Sequence, residues 1–75
     1  MTSEQLKKTI KATPFLPFVL KVADGQAISI PHPDFIMHNS ATPRTAVVTM
    51  QDGTIEILDL LLITGVMIPQ PAGSA

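Results

Sequence analysis

The alternation of apolar and polar positions predicts one short N-terminal helix followed by a series of strands. Leu6 and Ile10 lie four residues apart, on one face of a helix, and lysines occupy the other faces. Thr2 and Gln5 have the spacing of a capping box, and the first proline disfavours helix in the residue before it. We therefore expect a helix over residues 3–12, which is stable only when its apolar stripe packs against the domain.

From Phe18 onwards the apolar period changes to two, which is the period of a strand. Asp24-Gly25 and Asp52-Gly53 are hairpin signals, because glycine readily adopts the positive φ that tight turns need. Ile55 and Ile57 alternate with Glu56, so we expect the isoleucines to point inward and the glutamate outward. The expected strands are approximately residues 18–23, 26–30, 35–38, 45–50, 54–58 and 63–68.

Residues 54–68, TIEILDLLLITGVMI, predict a strand, one helical turn and a closing strand. Asp59 is placed to cap the turn, and Gly65 predicts a bulge or a barrel corner in the last strand. Prolines then end the pattern. We expect one domain over residues 1–69 and a loose C-terminal tail over residues 70–75.

This layout resembles that of Sm-like barrels, and SH3-like barrels share most of it. The resemblance implies a mainly β domain: a small barrel of about five strands with one short N-terminal helix and a one-turn helix before the last strand. In Sm-like proteins the outer strands pair between subunits to make rings. No Sm sequence motif accompanies the layout, and an open meander with the helix on one face is the alternative.

Four short motifs in order also resemble those of a group of short, uncharacterised bacterial proteins. The motifs are PFLPF from Pro14, ADG from Ala23, HPDF from His32 and DLLLIT from Asp59. The resemblance covers most of residues 4–68. It implies a genuine domain and carries no established activity.

The composition indicates more apolar surface than one small core needs. Of the 75 residues, 45% are hydrophobic and 15% are charged, and no cysteine is present to form a disulfide or a thiolate metal site. Four leucines within five positions cannot all enter one narrow core. We therefore expect a homo-oligomer, or an interface with another protein, formed by edge strands and by an apolar surface. The candidate interface residues are Leu58, Leu60, Leu61, Leu62, Val66 and Ile68.

Charge offers a second interpretation. The formal net charge is −1, which gives no general field for nucleic acid or anionic membrane. Lys7, Lys8 and Lys11 nevertheless cluster on the predicted helix, and a ring of several copies would multiply them into a positive patch. The alternative function is thus an Sm-like RNA-binding ring. A solvated helix face is the simpler explanation of the same lysines.

Few residues suggest chemistry. A weaker hypothesis is a metal site, formed by the two imidazoles and one carboxylate of His32, His38 and Asp34. We expect no other cofactor. His32-Pro33-Asp34 also occurs in J-domain co-chaperones, but no second long helix follows here, so a proline-defined turn shaped by the Asp34 carboxylate is preferred. No nucleophile has a catalytic sequence context. We expect a protein that is not an enzyme.

The N-terminus lacks the basic and apolar regions of a signal peptide, and the longest apolar run, residues 60–63, is far too short to cross a bilayer. Together with the absence of cysteine, this favours a cytoplasmic protein without membrane association.

Overall fold

The secondary structure follows the order that the sequence predicts. The computed structural model describes residues 1–69, so the expectation for the tail over 70–75 lies outside the described residues. One α-helix, α1, spans Ser3–Ile10. Single 3₁₀ turns occupy Pro33–Phe35 and Leu60–Leu62. The six strands are β1 (Phe18–Val22), β2 (Ala27–Ile30), β3 (Ile36–His38), β4 (Thr45–Thr49), β5 (Ile55–Asp59) and β6 (Ile63–Met67).

The start of α1 is the predicted capping box. The Thr2 hydroxyl accepts a hydrogen bond from the Gln5 N–H at 3.2 Å, and the Gln5 side chain accepts one from the Thr2 N–H at 3.0 Å. The helix ends two residues earlier than expected, with Lys11 as the C-terminal cap. Leu6 is fully buried and attaches the helix to the core.

The strands form two antiparallel sheets of three, in the orders β2-β1-β6 and β3-β4-β5. The mainly β class is confirmed, but residues 1–69 contain six strands and no closed barrel. The prolines between β2 and β3 explain the division. Pro31 and Pro33 lack backbone N–H donors, so the chain turns through a 3₁₀ turn before pairing resumes at Ile36.

Both predicted hairpins have a three-residue loop, residues 23–25 and residues 51–53, closed by backbone hydrogen bonds from Val22 N–H to Gln26 C=O and from Met50 N–H to Thr54 C=O. In each loop only the glycine takes a positive φ. The φ values are 96° at Gly25 and 92° at Gly53, in the region that disfavours other residues. In each loop the preceding aspartate accepts a hydrogen bond from the backbone N–H two residues ahead, at 2.9 Å. The loop thereby fixes the register of the two strands that it joins.

Twelve buried apolar side chains, contributed by α1, by both sheets and by the second 3₁₀ turn, make up the core of the described residues. The period of two predicted from Phe18 onwards is confirmed in β1 and β2, because the alternate apolar residues of both strands are buried. The core members are Leu6, Phe18, Leu20, Val22, Ile28, Ile30, Ile36, Ala46, Val48, Leu58, Leu60 and Ile63.

The prediction that Ile55 and Ile57 point inward and Glu56 points outward is wrong. On β5 the side chains of Glu56 and Leu58 lie opposite Val48 and Ala46 of β4, which are fully buried. Residues directly opposite each other share a face, so the two isoleucines point outward. Apolar residues occupy both odd-numbered and even-numbered positions of β5, so their alternation alone does not indicate the buried face. The register set by the β4–β5 loop turns the even-numbered residues toward the core.

Two adjacent leucines give a direct test of this packing. Leu60 is 2% exposed and Leu61 is 68% exposed. We expect Leu60→Ala to lower the free energy of unfolding by about 2–5 kcal/mol, because it leaves a cavity in the core. Leu61→Ala, the matched control, changes the stability of the single chain by less than about 0.5 kcal/mol. Urea unfolding followed by circular dichroism measures both, and equal losses would contradict the assigned packing.

Candidate interaction surfaces

The structure separates the six candidate interface residues into three groups. Leu58 and Leu60 belong to the core, so their assignment to a subunit interface is corrected. Leu61 and Leu62 are exposed on the second 3₁₀ turn, next to the β1–β2 hairpin, where Leu62 C=O accepts a hydrogen bond from Ala23 N–H at 2.8 Å. The leucine cluster is therefore divided between the core and solvent.

Val66 and Ile68, the remaining candidates, line a groove between β6 and α1. The groove has a volume of about 460 Å³, and Gln5 and Thr9 contribute to its helical wall. Val66 is half-buried and Ile68 is exposed. At the start of β6 the N-terminal ammonium donates hydrogen bonds to the carbonyl oxygens of Leu60 and Ile63, so the chain terminus closes that end.

An apolar surface that the sequence analysis missed lies on the outer face of the sheet β3-β4-β5. Met37, Val47 and Ile57 lie opposite one another on the three strands and form one row across the face. Ile55 extends the apolar surface along β5, opposite Thr49. The signal that could have revealed it was Leu58, because a buried Leu58 requires its neighbour Ile57 to point outward.

The charged groups of this face stand at one end of it. Arg44 and Asp59 form an ion pair, with Nη2 and Oδ2 3.0 Å apart. The other carboxylate oxygen of Asp59 accepts the N–H of Leu61 at 2.9 Å, which confirms the predicted cap. An exposed pair of this kind contributes little to stability, but it leaves the end of the face electrically neutral.

The geometry of the cap explains the titration of Asp59. The hydrogen bond from the Leu61 N–H is the main cause that holds the pKa of this carboxyl below its ordinary value of 3.8, and Arg44 adds to it. Partial desolvation acts in the opposite direction. The pKa of Asp52 is lowered in the same way, chiefly by the backbone and side-chain hydrogen bonds from Thr54.

Two residues of the metal hypothesis, His32 and Asp34, belong to the 3₁₀ turn between β2 and β3. The rings of His32 and Phe35 have their centroids 6.1 Å apart. The turn is closed by the Phe35 N–H on the His32 carbonyl at 3.1 Å, while the Asp34 side chain is exposed. The expected role of the Asp34 carboxylate in shaping the turn is therefore replaced by a backbone hydrogen bond.

His38 joins β3 to the start of α1. Its Nε2 lies 3.2 Å from the Ser3 hydroxyl and 3.0 Å from the Pro43 carbonyl oxygen, and its Nδ1 is buried. Because a carbonyl only accepts, the Nε2–H donates to Pro43. Within residues 1–69 no three His, Cys, Asp or Glu side chains come together as metal ligands would.

The lysine cluster lies at the C-terminal end of α1, with Lys7 and Lys8 in the helix and Lys11 as its cap. Lys8 and Lys11 are exposed, and Lys7 is half-buried. None of the three makes an ion pair with another described residue. The structure therefore groups the three lysines at one end of the helix.

Comparison of the chain with protein-family models, with curated proteins and with solved structures gives no significant match. The resemblance to short bacterial proteins therefore stays a prediction. Across residues 1–69, no helix has both the length and the apolar character needed to cross a membrane.

The cap at Asp59 gives a testable pH dependence. Since the folded-state pKa lies below the ordinary value of 3.8, the ionised carboxylate stabilises the fold above that pH, and the contribution is lost as the pH falls through the lower folded value. Asp59→Asn keeps a capping oxygen and removes the charge. We expect urea unfolding of this variant to lose less stability between neutral and acidic pH than the wild type loses. An unchanged pH profile would contradict the assigned interaction.

Proposed function

We propose that this chain is a non-enzymatic protein-interaction or assembly module that self-associates through strand edges and exposed apolar side chains. The observation that carries the proposal is the set of large apolar side chains left outside the core. The exposed members within the described residues are Leu16, Met37, Ile55, Ile57, Leu61, Leu62, Met67 and Ile68. A second copy of the same chain is the partner that is always present to cover such a surface.

The structural use of the polar residues supports the non-enzymatic part of the proposal. Asp24 and Asp52 accept backbone hydrogen bonds in the hairpin loops, and Asp59 caps the second 3₁₀ turn. His38 donates to a loop carbonyl and contacts Ser3. These groups serve the fold, which leaves few for acid–base chemistry.

We place the domain, as part of the same proposal, with the Sm-like or SH3-like small barrels. Two features support this. The order of elements is a helix, hairpin-linked strands and a one-turn helix before the last strand. In addition, β2 and β3 are consecutive and separated only by residues 31–35, which include the Pro33–Phe35 turn, as expected for one strongly bent strand shared by two halves of a barrel. A cytoplasmic location is consistent with the absence of cysteine.

The lysines of α1 support an alternative function, an RNA-binding ring. Three of the five basic residues fall within five positions, and Lys8 and Lys11 are exposed. Repetition of this helix in a ring would place several such clusters on one assembly, which raises the local positive potential. The chain has no Trp or Tyr for base stacking, so we prefer the protein-interaction module.

The mass in solution tests the preferred proposal. We expect light scattering to give masses above the 8.0 kDa of one chain, increasing with concentration. The association should persist in high salt, because apolar burial is not screened as exposed charges are. A mass that stays at 8.0 kDa from about 1 µM to about 500 µM, in a concentration range where weak complexes form, would overturn the proposal.

An electrophoretic shift assay with mixed RNA tests the alternative. If the lysines bind phosphate, the wild type shifts RNA at low salt, and replacement of Lys7, Lys8 and Lys11 by Gln abolishes the shift. Lys21→Gln, which removes one cation from β1, is the control and leaves a shift in place. Absence of a shift at low salt would eliminate the RNA-binding ring.

A further inference from the structure

Each sheet has two edge strands, and three of the four edges are short or partly covered. β2 has four residues and is followed by Pro31, which lacks an N–H donor. β3 has three residues and lies against α1, with the contact between Ser3 and His38. β6 is covered at its start by the N-terminal ammonium, which donates to Ile63. These are common ways in which proteins protect a strand edge from other chains.

The fourth edge, β5, is neither short nor covered by another element of the described chain. It has five residues without proline, glycine or lysine, and no strand of the described chain lies beyond it. Its outward side chains Ile55 and Ile57 are 65% and 71% exposed. An exposed apolar edge of this kind is a template for pairing with another strand.

The backbone N–H and C=O groups of successive β5 residues point alternately toward β4 and toward the free edge. Thr54 C=O accepts the Met50 N–H at 2.7 Å at one end, and Leu60 N–H donates to Arg44 C=O at 2.8 Å at the other. In an antiparallel ladder alternate residues bond to the same neighbour, so the even-numbered residues bond to β4. The N–H and C=O groups of Ile55 and Ile57 therefore point to the free edge.

We propose that β5 of a second copy of this chain pairs antiparallel with this edge about a two-fold axis at Ile57, an inference that rests on the self-association proposed above and names the strand responsible. Ile57 is the middle residue of β5, so this register alone pairs all five residues of the strand with all five of its copy. Ile57 then lies opposite Ile57 of the second copy, and Ile55 lies opposite Asp59.

The charged residues on and beside β5 favour this register, and they favour a second copy of the chain as the partner of the β5 edge. An axis at Glu56 would place two carboxylates directly opposite each other, which is unfavourable. The charges at the outer face are those of Asp59 and Arg44, and they already neutralise each other at 3.0 Å. A surface without net charge can be brought next to its own copy without repulsion.

The pairing also continues the row of apolar side chains across the outer face. Met37, Val47 and Ile57 are already cross-strand neighbours. In the dimer, Ile57 meets its copy, and the row runs through six strands from one Met37 to the other. Cross-strand apolar pairs stabilise sheets, so each member gains from its neighbour. Because five residues on each side bury less than the roughly 1,600 Å² of a standard interface, we expect a reversible dimer.

Charge reversal at the axis tests the geometry. Ile57→Lys and Ile57→Glu each place like charges opposite each other, and we expect each to weaken dimerisation about tenfold or more, measured by sedimentation equilibrium. An equal mixture of the two variants brings opposite charges together and regains most of the lost association. Met37→Lys, which changes an equally exposed side chain two strands away, is the matched control and changes the dissociation constant by less than about threefold.

Cysteine substitution gives an independent readout, because the chain contains no cysteine and a disulfide must join two molecules. Paired Cα atoms about 5.5 Å apart are within disulfide range, so Ile57→Cys forms a covalent dimer under mild oxidation, and Met37→Cys does not. A wild-type dimer unaffected by Ile57→Lys would overturn the β5 pairing and leave the proposed self-association in place, through another surface. A wild type that is monomeric throughout would overturn both proposals.

Discussion

The register of the β4–β5 hairpin determines which side chains of β5 remain at the surface of this small domain. Gly53 takes the positive φ, and the Asp52 carboxylate holds the Thr54 N–H, so the loop joins the two strands in one alignment. A slip by one residue would move every side chain of β5 to the opposite face. The alignment that is adopted buries Leu58 and leaves Ile57 in solvent.

The limited size of the core accounts for the remaining apolar surface. A domain near this length buries only about 60% of the surface of its unfolded chain, and here the core is filled by twelve side chains within the described residues. Ile55 and Ile57 occupy strand positions where β-branched residues favour the extended backbone. Their presence therefore stabilises the strand locally while it increases the apolar area that the fold leaves exposed.

Local features of the fold could be predicted from the sequence, but which face of β5 is buried could not. The capping box at Thr2, the two hairpin loops and the cap at Asp59 depend on residues within three or four positions. The face of β5 depends on its pairing with β4, and apolar residues at both parities make the pattern ambiguous. The same ambiguity applied to the leucine cluster, in which Leu60 enters the core and Leu61 does not. The outer face of the sheet was missed for this reason.

An exposed apolar strand edge promotes aggregation unless it is covered by a contact of closed symmetry. A heterologous contact leaves a free edge on each new subunit and can continue into a ring or a filament. A two-fold contact at Ile57 uses both copies of the edge at once. The six-stranded sheet would then end on both sides at β3, which has three residues and is flanked by α1. Short and covered ends of this kind disfavour further strand addition, so β5 can remain apolar without leading to uncontrolled assembly.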